Sequence, residues 1–217
     1  MTASPHQAQT LSGATDLDLP EFDTPPADPL PLLLGWLESA VAREVREPYA
    51  AVLATADAEG RPSTRVLLVK DIAASGLVFT SFTGSRKGTE LAARPWASLT
   101  FYWRETLQQI TVGGPVEQVS AAESDELFAR RPRAARATTA VSRQSRPLTD
   151  EQALRDRAKS LLADEADVPR PAEWTGYRLL PTTVEFWYGS PDRLHRRLRY
   201  DRPGTDTTAW THERLQP

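Results

Sequence analysis

The chain has 217 residues, 25% of them charged, with a formal net charge of −3. That length suits one domain with a sizeable core or two small ones, and the acidic balance argues against a dedicated nucleic-acid binder, which is usually basic overall. There is no Cys, and the three His (His6, His195, His212) lie far apart, so disulfides and thiolate metal sites are excluded and no metal is expected.

No apolar run approaches the roughly 20 residues of a membrane span, and no signal-peptide pattern follows Met1. A cytoplasmic protein with no membrane partner is therefore expected. Residues 1–28 are rich in Pro, Thr, Asp and Ala and lack periodicity, which predicts a disordered or loosely draped tail. Residues 29–217 are expected to form a single domain. The spacing of Leu30, Leu33, Leu34, Leu37, Ala40 and Val41 predicts a helix over 29–45.

From residue 50 the period changes to that of strands. Two are expected on either side of a turn at Ala58-Glu59-Gly60-Arg61, and a third at 77–81. The tetrapeptide Gly84-Ser85-Arg86-Lys87 follows, with Ser85 as N-cap of a helix that Pro95 ends. A helix start presents free N–H groups and a positive dipole end, so Arg86 and Lys87 beside it suit a phosphate. Arg65 and Lys70, at the two ends of RVLLVK (65–70), are placed to close the same pocket. A solvated, salt-bridged surface has the same spacing, and the residues alone leave both readings open.

Strands are expected at 97–103 and 108–120, with Gly113-Gly114-Pro115 marking a bulge or sharp bend where a sheet curls. This order of strands with inserted helices predicts a small antiparallel barrel. Ser120-x-x-Glu123 is a capping box that starts a helix ending near Pro132. The stretch 130–146 holds six Arg and no acid. It reads as a lid over a phosphate or carboxylate or as an RNA-binding arm, although the absence of interleaved aromatics speaks against nucleic acid. Thr149-x-x-Gln152 predicts a charged, exposed helix to Ala163, and strands return after Trp174. On an extended backbone the alternating Arg193, His195 and Arg197 would share one face.

The motifs RVLLVK, GSRKG (84–88), the Gln of QQITV (108–112), VSRQS (141–145), VEFW (184–187), RLHRRLRYDR (193–202) and the closing RLQP together resemble the pyridoxamine 5′-phosphate oxidase family. The similarity spans residues 29–217. It implies a mainly β fold with helices (α+β), an FMN-binding split β-barrel, and a homodimer with flavin sites at its interface. By this resemblance Arg65, Val66, Leu67, Leu68, Val69, Lys70, Thr80, Ser81, Arg86 and Lys87 bind FMN, with the cations on its phosphate and Ser85 at the helix start. Gln109, Gln144, Ser145, Trp187 and Arg197 match further flavin contacts, several from the partner subunit. Lys70, Arg131, Arg193, Leu194 and His195 match the substrate pocket, where His195 or Arg193 orients the substrate or assists proton loss.

Two positions depart from the vitamin B6 members of the family. Where those place a Tyr and a Ser on the substrate phosphate, this chain has Leu127 and Ala135, which offer no hydroxyl, whereas Lys70 is retained. The stretches REPYAAVLATADAEGRPSTR, RPWAS, YWRET and VSRQS look similar to phenazine-biosynthesis flavin oxidases. The expected activity is FMN-dependent aromatisation of a reduced phenazine carboxylate, a small aromatic N-heterocycle, with dioxygen as acceptor and hydrogen peroxide as product. A pyridoxine/pyridoxamine 5′-phosphate oxidase and a non-enzymatic flavin-binding split barrel stay open as alternatives.

Overall fold

The computed structural model describes residues 17–164 and 166–217. Ten strands and five helices follow in the order α1 (Pro29–Ala42), β1 (Ala50–Ala56), β2 (Pro62–Leu68), β3 (Asp71–Ala73), β4 (Gly76–Phe82), α2 (Arg86–Ala93), β5 (Trp96–Trp103), β6 (Gln108–Gln118), α3 (Ala121–Ala129), α4 (Arg133–Val141), α5 (Glu151–Ala163), β7 (Trp174–Leu179), β8 (Thr183–Tyr188), β9 (Arg196–Asp201) and β10 (Thr211–Leu215). Every strand pairing is antiparallel. The fold is a split β-barrel.

Strand β6 is where the barrel splits. Its first half, to Gly113, pairs with β8, and its last residues, Val116 to Gln118, pair with β7. From there one branch of the sheet runs through β8, β9 and β10, and the other through β7, β4 and β3. Of the expected bulge or sharp bend at Gly113-Gly114-Pro115, the pairing with β5 shows no bulge, although β6 does change partners there. The register with β5 passes through Ser98↔Gly113, Ala97↔Gly114 and Trp96↔Pro115 without an inserted residue. A Cβ on Gly114 would instead lie 1.9 Å from the carbonyl oxygen of Leu180. Glycine is needed there because the chain returning between β7 and β8 presses against β6.

One face of the sheet packs the core: Leu53, Leu99, Phe101, Ile110, Val112, Phe186, Leu198 and Tyr200 are buried. The alternate residues face outward, and Val52, Val66, Leu68, Trp96 and Tyr102 remain exposed there. Helix α1 buries Leu33, Trp36, Leu37 and Ala40, whereas Leu34 and Val41 are exposed. The stripe is thus rotated from the expected one, because Trp36 reaches Phe186 edge-on at 5.1 Å. The helix also stops short of residue 45, where Glu44 turns to a φ of 53° and the N–H of Val45 bonds to the carbonyl of Ala40.

Part of the expected tail, residues 1–16, lies outside the described residues. Residues 17–28 differ from the expectation: Leu19 and Phe22 are in the core. The Trp36 indole donates to the buried Glu21 carboxylate at 2.6 Å, and the Tyr200 hydroxyl donates to the Pro26 carbonyl at 2.9 Å. Low periodicity concealed two apolar side chains long enough to anchor the segment.

Candidate active site

Strand β4 delivers Ser81 to the start of α2. Ser85 caps that helix, its hydroxyl accepting from the Gly88 N–H and donating to the Phe82 carbonyl. A Cβ on Gly88 would fall 2.3 Å from the Thr83 carbonyl oxygen, so glycine at this place lets the first helical turn sit tightly on the strand's end. Around it gather Arg65, Arg86 and Lys87. Lys87 is 8% exposed, and its ammonium donates to Ser81 Oγ at 3.0 Å. Burial and the nearby Arg65 pull its pKa down to about 8, against the pull of Glu90.

Glu90 is the residue that sequence reasoning missed. Buried one helical turn beyond Arg86, it takes hydrogen bonds from Thr55, Ser63, Arg65 and Arg86. Burial raises its pKa, but those donors outweigh burial and bring it down to about 2. Its acidic identity four residues after Arg86 was the available signal. The cluster holds three cations and one carboxylate, a surplus of two positive charges beside a helix start. The cluster is salt-bridged, as the alternative reading had it, but around a buried Glu90 and Lys87, with Arg86 left exposed, and only part of its charge is compensated.

The α4–α5 connection closes over this cluster. Gln144 Oε1 accepts from Ser81 Oγ at 3.2 Å, and Ser145 Oγ accepts from the Arg86 N–H at 3.2 Å. Both residues thus meet the cation cluster within one chain. Trp187, Arg197 and Gln109 do not. They lie in one cross-strand row, Gln109↔Trp187↔Arg197, on the outward face. Arg65 pairs with Leu53 and points to the core side of β2. Four strand spacings of ~4.8 Å separate β2 from β8, roughly 19 Å along the sheet. Of RVLLVK, Val66 and Leu68 are exposed on the outward face, Leu67 packs on the core, and Val69 is buried with its N–H on the Tyr49 carbonyl.

Arg193, His195 and Arg197 do not share a strand face. Strand β9 begins only at Arg196, and Arg193 sits in a turn at φ 69°. Asp192 holds that turn, its carboxylate accepting from the Ser190 hydroxyl and the Leu194 N–H. Leu194 and Arg193 project into solvent. The His195 ring packs 4.9 Å from the Trp187 ring, and its Nδ1 accepts the Ser190 N–H. In the neutral ring the proton is therefore on Nε2, which is free to donate. Arg197 pairs with Glu185 at 2.8 Å.

Lys70 does not join the cation cluster. It lines a separate cleft of about 230 Å³ with Thr80, Leu127, Arg130, Arg131 and Pro132. Burial, with a contribution from Arg131, lowers the Lys70 pKa. The Arg131 guanidinium lies over the Trp174 ring at 5.1 Å and the Phe128 ring at 5.8 Å, and donates to Thr139 Oγ1. Leu127 is buried and forms an apolar wall; Ala135, half-buried on α4, is not among the residues lining the cleft.

The arginine-rich stretch resolves mostly into packing. Arg133 donates to the carbonyls of Leu161, Asp164 and Ala166 at the end of α5, and Arg136 pairs with Asp167. Helix α5 is capped by Asp150 and not by Thr149, and it buries no residue. Among the described residues, no group of three His, Asp or Glu is placed to hold a metal, and no helix is long and apolar enough to cross a membrane.

Residues 37–163 match the pyridoxamine 5′-phosphate oxidase model, and residues 174–217 match the pyridoxine 5′-phosphate oxidase C-terminal dimerisation region. The chain is 44% identical to a dihydrophenazinedicarboxylate synthase of Pseudomonas chlororaphis over 97% of its length and 93% of that protein. It is 46% identical to a pyridoxine/pyridoxamine 5′-phosphate oxidase of Bordetella pertussis over 88% of its length and 90% of that protein. Its structure aligns at a TM-score of 0.90 and 45% identity with PhzG from Burkholderia lata in complex with tetrahydrophenazine-1-carboxylic acid, covering 94% of this chain and 100% of that one. With the split barrel in place and both family segments matched along it, the chain belongs to the pyridoxamine 5′-phosphate oxidase family.

Proposed function

We propose that this protein is an FMN-dependent oxidase of phenazine biosynthesis, which dehydrogenates a reduced phenazine carboxylate and passes the electrons to dioxygen, giving hydrogen peroxide. FMN fits the residues present. The two surplus charges of the Arg65, Arg86, Lys87 and Glu90 cluster match a phosphate dianion at the start of α2, and Lys87 is a buried cation whose depressed pKa an anion would relieve. When bound, FMN supplies the hydride-accepting ring. This chain's residues hold and orient: Thr80 and Leu127 wall the cleft, Lys70 and Arg131 offer charge to a carboxylate, and His195 offers a donating Nε2. Oxidation aromatises the substrate, so a strong general base is not required.

The site needs a second copy of the chain. Gln109, Trp187 and Arg197 face outward, away from the Arg65 cluster, and a cleft of about 230 Å³ is below the roughly 300–1,000 Å³ usual for organic ligands. A homodimer that brings one protomer's outward row to its partner's cation cluster supplies the missing wall.

The single observation carrying the substrate assignment is Leu127, an apolar wall where a phosphate ester would want a hydroxyl, in a cleft with cations for a carboxylate. The convergence of Lys70 and Arg131 also favours a second reading, oxidation of pyridoxine or pyridoxamine 5′-phosphate. A side-by-side comparison of kcat/KM with peroxide as common readout separates them. The reduced phenazine carboxylate is expected to win; a higher value for the vitamin phosphate overturns the first reading, and no turnover of either overturns both.

A further inference from the structure

The loop that leads into β9 is fixed at both ends. The Gly189 N–H donates to the Leu107 carbonyl at 2.8 Å. Arg196 lies over the Phe22 ring at 4.6 Å and pairs with Asp23 at 2.8 Å. Residues 190–195 between these anchors read Ser-Pro-Asp-Arg-Leu-His. Pro191 restricts the first bend, and the Arg193 N–H closes the turn onto the Ser190 carbonyl at 3.0 Å. Arg193 then adopts a φ of 69°, a conformation that costs a non-glycine residue energy and persists only where its surroundings hold it. Asp192 ties the two limbs of the turn together. Its carboxylate accepts from the Ser190 hydroxyl and, at 2.9 Å, from the Leu194 N–H. The reversal brings His195 back to Ser190, whose N–H donates to Nδ1 at 3.1 Å, and sets the imidazole 4.9 Å from the Trp187 ring.

We infer that Asp192 is a positioning residue, which fixes the His195 imidazole against Trp187 so that its Nε2–H is presented to the bound heterocycle. The inference rests on the reading that His195 offers that donor to the substrate, and it adds the group that aims it. An aspartate that bonds the N–H two residues on reproduces a backbone turn with its side chain. With Gly189 and Arg196 anchored, the turn is the part of the loop left to swing, and Asp192 removes that freedom. It acts through His195 and takes no part in the redox step.

The test compares the FMN-loaded wild type with Asp192→Ala and Asp192→Asn. At mildly alkaline pH, where imidazole is neutral, proton NMR reads the His195 ring resonances, which the Trp187 ring displaces from their free-histidine positions. A His195→Gln spectrum identifies them among the three His of the chain. In Asp192→Ala these resonances are expected to move to the free positions, with flavin content unchanged. The kcat/KM for the reduced phenazine carboxylate should fall about 10-fold, the worth of one ordinary hydrogen bond. Asp192→Asn keeps an acceptor oxygen in the same place and should restore both signals. Displaced resonances that persist in Asp192→Ala, or an unchanged kcat/KM, overturn the inference. So does an Asp192→Asn variant that behaves as the alanine one, since the carboxylate would then act by charge and not by holding the turn. A wild type that oxidises no reduced phenazine overturns the phenazine reading, and the resonances alone then decide the inference.

Discussion

Lys87 concentrates the physics of the proposed cofactor seat. Its folded pKa of about 8 is below the ordinary 10.5, so between those values the unfolded chain binds more protons than the folded one. Stability of the flavin-free protein is therefore expected to rise with pH across that window. A phosphate dianion prefers the ammonium form, so FMN affinity should fall from about pH 8 upward. Opposite slopes in thermal melting and in FMN titration check this; an affinity flat to pH 9.5 would show that Lys87 does not meet the phosphate. Glu90 is the counterpart. Glu90→Gln leaves the largely buried Arg65 without its carboxylate, at a cost of about 3–5 kcal/mol by analogy with broken buried pairs, whereas loss of the pair with the exposed Arg86 adds little. Phosphate or sulfate should restore much of it. Loss of stability that no anion recovers would mean that Glu90 acts only by packing.

At the scale of elements, β6 organises the molecule, since its two halves serve different sheet branches. Gly114→Ala would force a methyl against the Leu180 carbonyl. Overpacking of this kind costs on the order of 1–3 kcal/mol, and the loss should appear as a lower urea midpoint with unchanged m-value. An unchanged midpoint would mean the connection between β7 and β8 yields freely. Helix α5 is the opposite case. It buries nothing and is held through Arg133 at its end, so it contributes position more than core. Turn chemistry redrew the segment before β9: Asp192 closes a loop there, and the alternation of Arg193 and His195 has no strand to act on.

Across the whole molecule, the outward face carries Val52, Val66, Leu68, Trp96 and Tyr102 beside the Gln109, Trp187 and Arg197 row. An apolar face of this extent suits a partner surface. Val66, 69% exposed in the single chain, is the natural probe. Val66→Glu is expected to shift sedimentation from dimer to monomer and to lower bound flavin together with it. A monomer that keeps full flavin content would refute the shared site.

Local chemistry was legible without the fold. Ser85 and Ser120 cap the helices they were expected to cap, because a hydroxyl and the first N–H groups lie within four residues. Strand periods from residue 50 onward pointed in the same way to an antiparallel barrel, and the family resemblance of the motifs implied that it is split. That Arg65 meets Arg86 and Lys87 was expected, but tertiary structure alone brought Glu90 among them. Thr55, Ser63, Arg65 and Glu90 come from β1, β2 and α2, and no spacing rule links them. It also decided that Lys70 leaves the Arg65, Arg86 and Lys87 cluster for another cleft and that Phe22 anchors the tail. Helix caps and strand alternation follow from contacts a few residues apart, whereas burial and charge pairing depend on which elements the closing barrel presses together.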